Sequence, residues 1–74
     1  MNEHDTVVLA RSLPEYGLQV GDVGAIVHVY GEQRAFEVEF VSGSGETVAV
    51  VTLESGAVRR LAEGEILHVR PIPA

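Results

Sequence analysis

The chain has no cysteine, no tryptophan and no lysine among its 74 residues, and only two phenylalanines and two tyrosines. Without cysteine there is no disulfide, no thiolate metal site and no thiol nucleophile. A domain this short hides a modest share of its surface. With no covalent staple, its stability rests on apolar packing, aided by self-association where that occurs. Scarce aromatics argue against a groove for proline-rich peptides, which is built from a row of them. No apolar run approaches the ~20 residues that cross a bilayer. The opening stretch, Met1 to Thr6, is polar and acidic and does not read as a signal peptide. The expected location is the cytoplasm.

Positive charge is scarce as well. Eleven acids face five arginines, giving a formal net charge of −6. A surface of that sign is repelled by phosphate backbones and by anionic membranes, so both start as disfavoured partners.

What the chain does hold is 46% hydrophobic residues, ordinary for a globular domain and too many for a disordered one. Much of this content is valine, and β-branched side chains favour strands. Residues 6–10 (TVVLA) read as a first strand. Pro14 and Gly17 punctuate the loop that follows, and Leu13 and Leu18 are expected to fold it back onto the core. Gln19 to Asp22 reads as a turn, with the Asp22 carboxylate capping nearby N–H groups. Residues 23–30 (VGAIVHVY) form the strongest apolar run, but strict alternation fails there. Burial on both sides would explain this, as would a bulge or sharp bend at Gly24.

Residues 31–34 read as a hairpin connection. In residues 35–41 (AFEVEFV) the alternation is clean: Phe36, Val38 and Phe40 on one face, Glu37 and Glu39 on the other. A glycine-serine turn leads to a strand over residues 47–53 (TVAVVTL). Residues 58–61 read as a short strand or a helical turn, and residues 65–70 (EILHVR) as a last short strand ended by Pro71 and Pro73. No stretch of ten or more carries the helical period. The pattern predicts an all-β chain, residues 1–74 as one domain with 1–4 and 71–74 as flexible termini. At this length a small, strongly bent five-stranded SH3-like barrel fits where a seven-stranded sandwich does not.

The run Gly21-Asp22-Val23-Gly24-Ala25-Ile26 resembles the opening of KOW-type SH3-like domains. A longer likeness covers Asp5 to Leu9, Leu13 to Leu18, Gly21 to Tyr30, Phe36 to Phe40 and Gly45 to Leu53. In that order these elements resemble the small bacterial proteins grouped as domain of unknown function 4926. The resemblance implies an SH3-like barrel with no established activity, and an association with toxin-like or nuclease-like proteins. It carries over no catalytic residue.

Each chemical constellation has a plainer competitor. His4, His28 and His68 are not spaced as a local metal pair, and structural histidines are the expectation. Glu37 and Glu39 share a strand face, where a solvated face competes with an acid–base pair. Gly21-Asp22-Val23-Gly24 lacks the lysine and the following helix of a phosphate loop. Arg59 and Arg60 are expected to balance nearby acids such as Glu54 and Glu63, or else to meet phosphate or an acidic partner.

The expectation is a non-catalytic protein-interaction module, with no cofactor and no metal. Its partner would be a toxin-like or nuclease-like enzyme, neutralised as by an antitoxin or immunity protein. A KOW-like nucleic-acid binder and an accessory subunit of a larger enzyme are the alternatives. Glu32, Glu37, Glu39, Glu46, Arg59 and Arg60 are the expected partner-binding residues. A second copy of the chain is a candidate partner through the edge strands, taken as residues 6–10 and 65–72.

Overall fold

The alternation in residues 35–41 sets the inside of the molecule. Phe36 and Val38 are fully buried and Phe40 nearly so, while Glu37 and Glu39 face outward. The computed structural model describes residues 1–72. Its strands are β1 (Thr6–Leu9), β2 (Val23–Tyr30), β3 (Ala35–Val41), β4 (Thr47–Glu54) and β5 (Val58–Arg60). Single 3₁₀ turns occur at Pro14–Tyr16 and Ser55–Ala57, and there is no α-helix among the described residues.

All five strands join one antiparallel sheet in the order β4-β3-β2-β1-β5. The link between β4 and β5 dictates its shape. These strands are the two edges of the sheet, which in a flat sheet would stand about 19 Å apart. Yet only Ser55–Ala57 joins them, and four Cα steps span at most ~14 Å even fully extended. The sheet must therefore curl until its edges approach. The result is a small, strongly bent, all-β, five-stranded barrel-like fold, with the seam between β4 and β5 left unpaired.

Inside the curl lie Val7 and Leu9 from β1, Ile26 from β2, the β3 triplet, Val51 and Leu53 from β4, and Ala57 and Val58. Leu13 and Leu18 pair across the long β1–β2 loop and bring it down on this core, as their apolar character predicts. No polar or charged residue is buried among the described residues. Met1 packs against the core, and its ammonium donates to Gln33 Oε1 at 2.7 Å. Of the terminal residues expected to be flexible, Pro73 and Ala74 lie outside the described residues.

The broken alternation of β2 has two separate causes. Gly24 is buried where β2 crosses β3. A Cβ placed there would sit 2.7 Å from Val38 Cγ1 and 3.0 Å from the Glu39 carbonyl oxygen. Glycine is required for that close approach. The bulge lies further on, between Ile26 and His28. Val27 is the extra residue, and after it Val29 returns inward opposite Phe36 while His28 and Tyr30 turn out.

Two expectations are corrected. Residues 6–10 are no edge: β1 is flanked by β2 and β5 and has no free side. Residues 65–70 are no strand either; the fifth strand is Val58–Arg60. The short 3₁₀ link delivers Val58–Arg60 to the open side of β1, so that side is taken when the chain reaches residue 65. A turn then reverses the chain, with Glu65 N–H bonded to the Ala62 carbonyl at 3.1 Å. Residues 66–72 form no strand or helix and pass beside the β1–β2 loop and the end of β3, where Arg70 meets Asp22 and Gly17.

Candidate functional site

The outer face of the β2–β3–β4 meander carries the densest group of polar side chains. Register places His28 opposite Glu37, Ala25 opposite Glu39, and Thr52 and Val50 on the other side of the same two acids. The Tyr30 hydroxyl donates to Glu37 Oε2 at 2.6 Å, and the Thr47 hydroxyl to Glu39 Oε2 at 2.7 Å. The Glu37 carboxylate holds the Tyr30 phenol above its usual pKa, first through that hydrogen bond. The His28 and Tyr30 rings meet edge-on with centroids 4.4 Å apart, and His28 Nδ1 lies 3.9 Å from Glu3 Oε2.

The sequence-predicted residues do not all converge here. Glu37 and Glu39 do, two positions apart on one strand face. Glu32 sits in the β2–β3 hairpin, in the left-handed region with φ 51°. Glu46 lies in the β3–β4 turn at the opposite end of β3. The four acids thus mark out the length of β3. Arg59 and Arg60 are on β5, separated from β3 by two strands. Their expected partners are also corrected: Glu54 pairs with Arg11 at 2.8 Å, and Arg59 forks onto both oxygens of Glu65 at 2.7 Å. No ion pair to Glu63 or from Arg60 occurs among the described residues.

Sequence reading missed His28, Tyr30 and Glu3 as neighbours of this face. Period-two alternation puts His28 and Tyr30 on one side; that this side is the outer one follows from the extra residue at Val27, which nothing in the sequence marks.

A second polar feature ties the C-terminal segment to the β1–β2 loop. Arg70 Nε donates to Asp22 Oδ1 at 2.8 Å, while Nη2 donates to Asp22 Oδ2 and to the Gly17 carbonyl. Asp22 also accepts from Gln19 N–H at 2.9 Å, the capping role its place in the turn predicts. A groove of about 360 Å³ opens beside this pair, lined by Phe40, Val41, Val48, Val69 and Ile72. No group of three or more His, Cys, Asp or Glu residues that could hold a metal occurs among the described residues. Every buried polar side-chain atom among them has a partner.

The Asp22–Arg70 fork has a pH signature. The Arg70 hydrogen bond, helped by the Gln19 N–H, lowers the Asp22 pKa below 3.8. The Arg59 fork and the Ala62 N–H likewise pull Glu65 from 4.5 to about 2. For a carboxylate depressed in the folded state, the stabilisation is complete above the ordinary pKa and is lost as pH falls through the lowered one. The C-terminal segment is therefore expected to stay docked above about pH 4.5 and to loosen toward pH 2. NMR of the Arg70 Nε–H checks this: its chemical shift should be displaced by the Asp22 hydrogen bond at pH 6 and move to the value of a free arginine near pH 2. Asp22→Asn should give the free-arginine shift at every pH. A shift indifferent to both changes would show that the fork does not hold the segment.

The geometry defines a class before it defines a family: a small, all-β, bent five-stranded module with an acidic outer face. The chain belongs to the family described as Domain of unknown function (DUF4926), whose family model matches residues 3–60. The match closes on the last residue of β5 and covers the barrel but not the segment after it. Searches against curated proteins and against solved structures returned no match. No helix among the described residues is long and apolar enough to cross a membrane.

Proposed function

We propose that this chain is a non-catalytic protein-interaction module whose outer β2–β3–β4 face docks on a basic protein. The observation that carries this reading is the pair Glu37 and Glu39, held outward by Tyr30 and Thr47, with no arginine paired to either among the described residues. Three of the five arginines are occupied elsewhere, with Glu54, Glu65 and Asp22. The negative field of this face is thus left uncompensated. Such a face steers and orients a positively charged partner. The basic cleft of a nucleic-acid-processing enzyme is the surface that fits it best, and covering that cleft is the act of an antitoxin or immunity protein.

The experiment is a low-salt affinity purification of the tagged full chain, read by mass spectrometry and by ultraviolet absorbance for nucleic acid. One stoichiometric basic protein is expected. The double variant Glu37→Lys/Glu39→Lys should weaken its binding roughly 100-fold, because like charges brought together cost several kcal/mol. Both side chains point outward, so the circular dichroism spectrum should not change. Binding that survives the double variant would remove the electrostatic basis of the proposal. Nucleic acid that elutes with rising salt would replace it with phosphate recognition.

A further inference from the structure

We infer that residues 66–72 form a homotypic docking strand, through which two copies of the chain pair about a two-fold axis. This goes beyond the acidic-face reading and does not depend on it. The segment belongs to no strand or helix, and the amide and carbonyl groups from Ile66 to Val69 make no hydrogen bond among the described residues. Its apolar side chains are largely in solvent: Ile66 and Val69 are 89% exposed, Leu67 62% and Ile72 44%, with Val69 and Ile72 also bordering the groove beside Phe40. It is not loose chain, because Arg59–Glu65 anchors one end and Arg70–Asp22 the other. An anchored segment with an unpaired backbone and exposed apolar side chains offers a partner chain both hydrogen-bonding groups and apolar area.

Charge and area favour a second copy as the occupant. Each molecule carries a net charge of −6, so two copies repel over most of their surface. Residues 66–72 contain no acid, and the one arginine there is neutralised by Asp22. On this stretch like molecules meet without acids of their own opposing each other. A fully exposed aliphatic side chain of this size offers on the order of 100 Å², so the four present roughly 300 Å² per copy and about 600 Å² in a symmetric pair. A stable interface at the lower end of the size range buries about 1,200 Å², a little over half of it non-polar. A symmetric pairing of this segment therefore comes close to the apolar area a small dimer needs. Two-fold symmetry also lets each strand supply the antiparallel partner of the other.

Sedimentation equilibrium of the full chain at neutral pH should give twice the 7.9 kDa chain mass. Ile66→Glu/Val69→Glu should raise the dimer dissociation constant about 100-fold or more, since paired acids would have to be buried. Both positions lie outside the core, so the variant's circular dichroism and melting should show a folded monomer. The absence of native cysteine makes a direct proximity test available. Under oxidation Leu67→Cys or Val69→Cys should yield a covalent dimer, whereas Glu32→Cys, at the other end of β3, should not. A wild-type chain that sediments as a monomer overturns the inference. So does a dimer that survives both glutamates, or a segment that captures a different protein while the chain stays monomeric. Glu37→Lys/Glu39→Lys should leave the dimer intact, so failure of the acidic-face reading and failure of this one are separate results.

Discussion

Phe36→Ala is expected to remove most of the stability of this domain. Phe36 is the largest fully buried side chain, and it pairs with Val29 on one side and Leu53 on the other at the centre of the sheet. Truncating a buried phenylalanine costs about 3–5 kcal/mol, through lost transfer energy and the cavity left behind. A domain of this length holds about 4–11 kcal/mol in total. With a urea slope of about 1 kcal/mol/M for so small a protein, the unfolding midpoint should fall by ~3 M or the variant should be unfolded without denaturant. Phe36→Leu keeps most of the volume and should cost under ~1.5 kcal/mol. Tyr30→Ala, on the outer face, is the control: its ring is half-exposed and leaves no internal void, so the midpoint should scarcely move. Equal losses at Phe36 and Tyr30 would mean that the core does not centre on β3.

Gly24→Ala should cost about half as much, although it adds only one methyl group. The new Cβ would lie 2.7 Å from Val38 Cγ1, and Val38 is itself fully buried with no space to retreat into. The Glu39 carbonyl and the Phe40 ring, each at 3.0 Å, block the other directions. Overpacking of this kind costs about 1–3 kcal/mol. The stiffer unfolded chain returns less than ~1 kcal/mol of that. A net loss of ~2 kcal/mol corresponds to a melting temperature lower by ~8–16 °C. Gly43→Ala is the matched control: a Cβ there meets nothing within 4 Å. It should be neutral or stabilising by a few tenths of a kcal/mol, with the ordinary gain from a less flexible unfolded chain. Differential scanning calorimetry of the two variants side by side decides the matter. If both melt alike, β2 gives way easily and the approach of β2 to β3 does not require glycine.

The role of Phe36 was legible in the sequence, and that of Gly24 in part. The β3 alternation is an unbroken period of two, so Phe36, Val38 and Phe40 had to share the buried face, and Glu37 and Glu39 the open one. Gly24 stood out because glycine inside an apolar strand has few uses, but the bulge or bend expected there is instead a close approach to β3, and the bulge falls at Val27. Its neighbour in the argument, the bulge at Val27, was not readable, because valine carries no local mark of a bulge. Without the bulge, His28 and Tyr30 could not be placed beside Glu37.

The C-terminal segment misled for a related reason. Residues 65–70 have strand-like composition, and nothing local reveals that β1 is already paired on both sides. The Asp22–Arg70 fork joins residues 48 positions apart and leaves no trace in spacing or period. The same holds for Arg59: its partner is Glu65, across a turn, and not the nearer Glu63 or the β4 residue Glu54. What local patterning specifies is which face each strand buries; which charges meet is settled by the path of the turns.

The three-residue link Ser55–Ala57 bears on how the molecule is made. The hairpins β2–β3 and β3–β4 join neighbours in sequence, and such local pairings form early. The β1–β5 ladder instead joins Val7 to Arg60, nearly the full span of the barrel. During synthesis from the N-terminus, β1 emerges first and can pair with β2, but its other side waits for β5. Until Arg60 has left the ribosome, the nascent chain displays β1 as an open, valine-rich strand, vulnerable to pairing with another chain. The shortness of the link limits that interval, because β5 follows the end of β4 by three residues and is delivered straight to the waiting strand.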